Sequence, residues 1–287
     1  LGDYTGYWYD VLTENGVRGY CFDLNIEVFD IEKGIPQEQD PVMAVVEKAL
    51  SKEYRPASFG DMIREERIDL VLFNPLYGFF PDPESKSFTI VTEEGSLSFS
   101  YSGISPVSSG VYAFDGTTAQ LSVFSDTDIA LRYSHNNKEV VQNFTYIENI
   151  EEIIEKEKER RQAVLADFVQ RFRSVTSSAY GTIRFQDDGT FSWENFSRLK
   201  PDIVPEKASG KGTIQFFVFL APELRGRYTG VVSFHFENTG PTEFTHFLYT
   251  ITETGIRFVH APERTIKDRV VQRENPSPIV LSFSTMN

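Results

Sequence analysis

Cysteine, tryptophan, methionine and histidine are scarce: the 287-residue chain has 1, 2, 3 and 4 of them. A single thiol, Cys21, excludes an intrachain disulfide and a thiolate metal cluster, and it leaves the redox compartment open. Positive charge is short as well, with 28 Lys and Arg against 42 Asp and Glu, a formal net charge of −14. Binding to nucleic acid needs clustered cations over the phosphates, so no nucleic-acid partner is expected. No apolar run approaches the about 18 residues of a helical membrane span, and no transmembrane segment is predicted. There is no Gly-x-Ser-x-Gly elbow, phosphate loop, dinucleotide fingerprint or His-Glu-x-x-His, and paired carboxylates such as Asp187-Asp188 stand in turn contexts. A cofactor is not expected, and the chain reads as non-enzymatic.

What the chain has in quantity is aromatic residues, 25 Phe and 13 Tyr, which favour strands. Hydrophobic residues make up 40 %, enough for packed cores and against disorder. At about 100–200 residues per domain, the length predicts two or three domains.

Near the start, Tyr7, Trp8, Tyr9 and Val11 form one strand-like run, Glu14-Asn15-Gly16 a turn, and Gly19-Tyr20-Cys21-Phe22 a second run. Asn-Gly between such runs signals a hairpin, because both residues tolerate the positive φ of a tight turn. The order Gly6-Tyr7-Trp8-Tyr9-Asp10-Val11, Thr13-Glu14-Asn15-Gly16, Arg18-Gly19-Tyr20-Cys21-Phe22 resembles the second half of a bacterial SH3 module. The match covers residues 1–29 of a partial module placed at 1–30, and Cys21 stands where the family usually has Val or Ile. The resemblance implies a cell-envelope protein, periplasmic or outer-membrane-anchored in a bacterium. Peptidoglycan or an envelope protein would be its partner, with Tyr7, Trp8 and Tyr20 as contact residues. Leu1 has the look of a cut end, which predicts a lost upstream signal or lipoprotein anchor. Bacterial SH3 modules often accompany Cys-His peptidases, but Cys21 lies inside the module between Tyr20 and Phe22 and reads as a core thiol.

Residues 31–68 read as a helical linker. Asp40-Pro41 makes a helix start, Val42, Val45, Val46, Ala49 and Leu50 share a face, Pro56 stops it, and Ser58 caps a second helix carrying Met62 and Ile63. Ile68 to Phe73 is read as a strand. Residues 69–147 form a first antiparallel β block with turns every about 8–12 residues. At 148–176 the period changes: Ile150, Ile154, Leu165, Phe168, Phe172 and Val175 recur at helical spacing, which predicts one long amphipathic helix with a solvated, charged middle. Residues 177–287 return to strands in a second β block. The fold class is thus mainly β: a partial SH3-like barrel, then two antiparallel meander barrels or sandwiches bridged by one helix.

The two blocks share ordered matches. Tyr77-Gly78 parallels Tyr180-Gly181, and Ser87-Phe88-Thr89 parallels Thr190-Phe191-Ser192. Ser125–Ile129 parallels Thr252–Ile256, and Asn143-Phe144-Thr145 parallels Ser282-Phe283-Ser284. Either an internal duplication or strand composition alone accounts for them.

Three histidines on expected neighbouring strands, His235, His246 and His260, are candidate zinc ligands, though alternation could equally place His235 in solvent between Phe234 and Phe236. A zinc hydrolase built on them is the third reading of function. The second is a calycin-like barrel carrying a small apolar ligand, with Phe217, Phe234, Phe236 and Tyr249 as ligand contacts; the plain alternative is that these rings pack a core. The first reading is a non-enzymatic binding or structural protein.

Overall fold

In the computed structural model, residues 6–12, 18–22 and 41–286 are described. The chain divides into two compact units, 1–48 and 49–287.

In the first unit the two aromatic runs become β1 (Trp8–Leu12) and β2 (Arg18–Phe22), paired antiparallel with Trp8 opposite Phe22 and Leu12 opposite Arg18. The Asn15-Gly16 turn and the Asp40 cap lie outside the described residues. Helix α1 (Pro41–Leu50) starts at the expected proline and buries Val46, Ala49 and Leu50, whereas Val45 is exposed.

The 49–287 unit opens with β3 (Arg55–Pro56) and α2 (Ala57–Arg64), whose N-cap is Pro56, without a side-chain cap. Ser58 therefore lies inside the helix rather than capping it. The strand read at Ile68 to Phe73 is a turn instead. Asp69 organises it, its Oδ1 accepting from the Val71 N–H (3.0 Å) and its carbonyl from the Phe73 N–H (2.7 Å). An aspartate that bonds its own backbone two residues on competes with extended structure, and here it wins.

Eight strands follow: β4 (Gly78–Asp82), β5 (Ser87–Thr92), β6 (Gly95–Ser100), β7 (Ile104–Ser108), β8 (Val111–Phe114), β9 (Gln120–Val123), β10 (Asp128–His135) and β11 (Lys138–Thr145). Together with β3 they make a three-stranded sheet, β4-β5-β6, and a six-stranded sheet, β3-β11-β10-β9-β8-β7. Rings meet across the two sheets, Phe79 with Phe144 (6.0 Å) and Phe88 with Phe114 (4.6 Å), so one core serves both.

Helix α3 (Ile150–Phe172) carries Glu151 and Glu152 in its first turn and Arg171 in its last, as its dipole favours. It stops earlier than its spacing predicts. Val175 leaves the helical face to pair with Ile183 and Thr285 in β12 (Ser174–Ser177), where it is fully buried. A β-branched residue with strands on both sides gains more from the sheet than from another helical turn.

The remaining strands are β13 (Gly181–Phe185), β14 (Thr190–Glu194), β15 (Lys211–Gln215), β16 (Phe219–Leu220), β17 (Gly230–Phe236), β18 (Thr245–Thr252), β19 (Gly255–His260), β20 (Ile266–Lys267), β21 (Val270–Val271) and β22 (Val280–Thr285). Eight of them close a barrel in the order β12-β13-β14-β15-β17-β18-β19-β22, and β16-β21-β20 form a separate sheet. Every second residue points inward, as strand alternation requires. Phe185, Phe191, Trp193, Phe234, Phe247 and Phe258 fill the interior, joined by Phe168, Val169 and Phe172 from α3.

A related order of elements occurs twice: a helix, a short strand and then antiparallel strands whose last member pairs with that short strand, with α2 inserted after the short strand in the first block only. In the first block β3 pairs with β11, and in the second β12 pairs with β22. Three of the four sequence matches fall at corresponding steps as follows. Gly78 and Gly181 open β4 and β13, Phe88 and Phe191 lie in β5 and β14, and Phe144 and Phe283 lie in the final strands.

Buried charge links the two blocks. Glu157 of α3 accepts from Arg160 Nε (2.6 Å) and Arg161 Nε (2.7 Å). Arg161 Nη2 donates onward to the Ile68 carbonyl in the first block (2.9 Å), and Arg160 Nη2 to the Phe216 carbonyl beside the barrel (3.4 Å). Asp69 and Arg269 form an ion pair between the blocks.

Candidate functional site

The expected contact residues separate into three settings. Trp8 and Tyr20 lie on one face of the β1–β2 hairpin, 61 % and 71 % exposed, with the Trp8 and Phe22 rings 5.1 Å apart. Tyr7, also exposed, precedes β1 with the alternation of the opposite face. On the Trp8 face, Asp10 and Arg18 form an ion pair that holds the Asp10 carboxyl below its usual range.

Phe234, Phe236 and Tyr249 point into the barrel. Phe234 alone meets Phe191 (5.0 Å), Trp193 (5.6 Å), Phe247 (5.6 Å) and Phe258 (6.1 Å), at the separations of packed aromatic pairs. Phe217 lies on the other side of the wall, in a cluster with Leu224, Val231, Leu248 and Val259. The Arg269 guanidinium sits 4.9 Å over its ring. Consecutive Phe216 and Phe217 thus serve the two faces of the wall.

The three histidines are divided by the same alternation. His235 and His246 face outward, whereas His260 is paired opposite the inward Phe247, with its ring 5.8 Å away. His235 Nε2–H donates to the Gly240 carbonyl (3.0 Å). Among the described residues no group of three or more His, Cys, Asp or Glu is placed to hold a metal ion.

His246 instead joins a hydrogen-bonded chain. Register on β17 and β18 sets Ser233 opposite His246, and Glu263 arrives from a short turn (Glu263–Thr265) just after β19. His246 Nε2 lies 3.2 Å from Glu263 Oε1, and its Nδ1 lies 2.7 Å from Ser233 Oγ. A carboxylate only accepts, so Nε2 carries the proton and Nδ1 accepts from the serine hydroxyl. Burial pushes the His246 pKa down, partly offset by Glu263, and Arg269 lowers it further. His260, which lines the same concavity of about 360 Å³, is pushed down to about 4 by burial, helped by His246 and Arg264.

Serine, histidine and glutamate in a chain have the makings of nucleophilic catalysis, but that chemistry needs a hydroxyl that substrate can reach. Ser233 is 0 % exposed, and its one side-chain bond is the bond to His246. The chain therefore anchors the outer wall, tying β17, β18 and the turn after β19 together. Sequence inspection misses this trio because its members are brought together by strand register and a later turn; the signal available beforehand is a polar Ser-x-His outward pattern, Ser233 and His235, on an otherwise apolar strand.

No helix among the described residues is long and apolar enough to cross a membrane. Residues 35–147 match a family model described as the third domain of the TP0260 family, a segment that runs from ahead of α1 to the end of the first β block. The chain is also similar to an uncharacterized protein of Treponema pallidum (strain Nichols), 29 % identical over 285 residues, which cover 97 % of this chain and 63 % of that protein. The chain thus spans less than two thirds of the length of that relative. No solved structure matches.

Proposed function

We propose that this is a non-enzymatic contact protein of the bacterial cell envelope, whose SH3-like hairpin takes up peptidoglycan or a protein bound to it. The observation that carries the reading is the joint exposure of Trp8 and Tyr20 on one face of β1–β2. Large rings with one polar tip give much contact area for little lost side-chain freedom, and such residues dominate binding energy at interfaces. The β barrel supports the same reading from the other side. Its interior is occupied by its own rings, and its catalytic-looking serine is sealed. What the molecule offers a partner is its outer surface.

The test is co-sedimentation with purified sacculi, before and after protease stripping. The full chain is expected to pellet, and a Trp8→Ala, Tyr20→Ala double variant is expected to stay in the supernatant. Retention on stripped sacculi assigns the glycan, and retention on unstripped sacculi alone assigns a wall-bound protein. No pelleting, or equal pelleting of the double variant, ends the proposal.

A further inference from the structure

We infer that a groove formed mainly by the first β block, with Asp268 of the second at its edge, is a separate binding site, one that takes a peptide segment carrying Lys or Arg beside apolar side chains. The groove encloses about 480 Å³, a volume in the usual range of ligand sites. Phe59, Met62, Leu72 and Tyr77 give it apolar walls. The loop that supplies Leu72 also leaves Val71 and Leu76 exposed, at 67 % and 69 %. Contiguous exposed apolar residues mark contact surfaces. A second concavity of about 600 Å³, walled by Leu97, Tyr133 and Val140, shares Thr92, Glu93 and Gln142 with the first. The two concavities adjoin at these shared residues, which favours a chain segment over a compact small molecule.

Charge selects the segment. Five carboxylates line the groove, Asp61, Glu65, Asp69, Glu93 and Asp268, against one guanidinium, Arg67. Three of the five are already neutralised: Asp61 by Arg64 (2.9 Å), Glu65 by Arg67 and Asp69 by Arg269. No ion pair among the described residues reaches Glu93 or Asp268. These two stand at hairpin turns of different blocks, Glu93 between β5 and β6 and Asp268 between β20 and β21. Two unneutralised carboxylates beside apolar walls complement a cationic side chain flanked by apolar ones. A divalent ion fits poorly, since no metal-holding cluster forms among the described residues.

The probe is a fluorescein-labelled peptide of alternating Leu and Lys, followed by fluorescence polarisation on the full chain. Binding is expected, weakened by salt. A Glu93→Gln, Asp268→Asn double variant should bind about tenfold more weakly. A Glu148→Gln, Glu253→Gln variant makes the same charge change at exposed positions elsewhere and should bind like the parent. Trp8→Ala with Tyr20→Ala should also leave probe binding unchanged, which separates this site from the hairpin. Absence of binding overturns the inference. So does equal binding of a Ser-Lys alternating peptide, or equal weakening by the control pair.

Discussion

Among the four histidines, His246 and His260 are kept neutral by burial, and this makes them pH-dependent contributors to stability. The unfolded chain protonates a histidine near 6.5, whereas folded His260 resists until about 4. Between those values the unfolded state holds more protons, so stability is full above pH 6.5 and lost as pH falls toward 4. His246 acts in the same direction, because its folded pKa is also lowered. Urea unfolding at about pH 7.5 and about pH 5 should therefore give a lower midpoint in acid. In His260→Gln the acid loss should shrink, since that position no longer takes up a proton on unfolding. An unchanged difference between the two pH values would place the acid sensitivity in other groups.

At the scale of elements, much of the β layout is legible because a strand with one buried face alternates. Phe88, Ile90, Phe185, Phe191 and Phe258 all announce themselves this way, and the strands appear where they stand. Pairing is another matter. Within the stretch from Thr213 to Leu220, β15 pairs with β17 while β16 turns away to pair parallel with β21. Two-residue strands such as β3, containing Pro56, carry no periodicity to read. The same limit hides Ser233 and His246, which meet only through cross-strand register. Helix α3 is legible for its whole length except the end, but its charged middle is misread as wholly solvated. Glu157 is buried there, with Arg160 and Arg161 on its two oxygens. Glu157→Gln keeps the shape and removes the charge, leaving both guanidinium groups without their anion. The expected loss is about 1–3 kcal/mol in urea unfolding, because both arginines are partly solvated and can recover water. A Lys156→Gln change, which breaks only the exposed Glu152 pair, should cost under about 0.5 kcal/mol.

At the scale of the whole 49–287 unit, two β blocks lie within one compact body and are joined by contacts of two kinds. One set is apolar, Phe59, Ile68 and Phe73 with Ile150 at the start of α3. The other is polar, the Asp69–Arg269 ion pair and the hydrogen bond from Arg161 to the Ile68 carbonyl. Asp69 serves both, because the turn it organises presents Ile68 and Phe73 while its second oxygen faces Arg269. Asp69→Asn retains an oxygen for the Val71 N–H, so the turn should survive, but Arg269 loses its anion. If the ion pair couples the blocks, calorimetry on the parent chain should give a single main transition for this unit, and the variant should separate it into two. Each block has its own aromatic core, around Phe88 and Phe114 in one and Phe234 and Trp193 in the other, so each can melt by itself once uncoupled. A variant that still melts in one step, merely at lower temperature, would assign the coupling to the apolar contacts around Ile150.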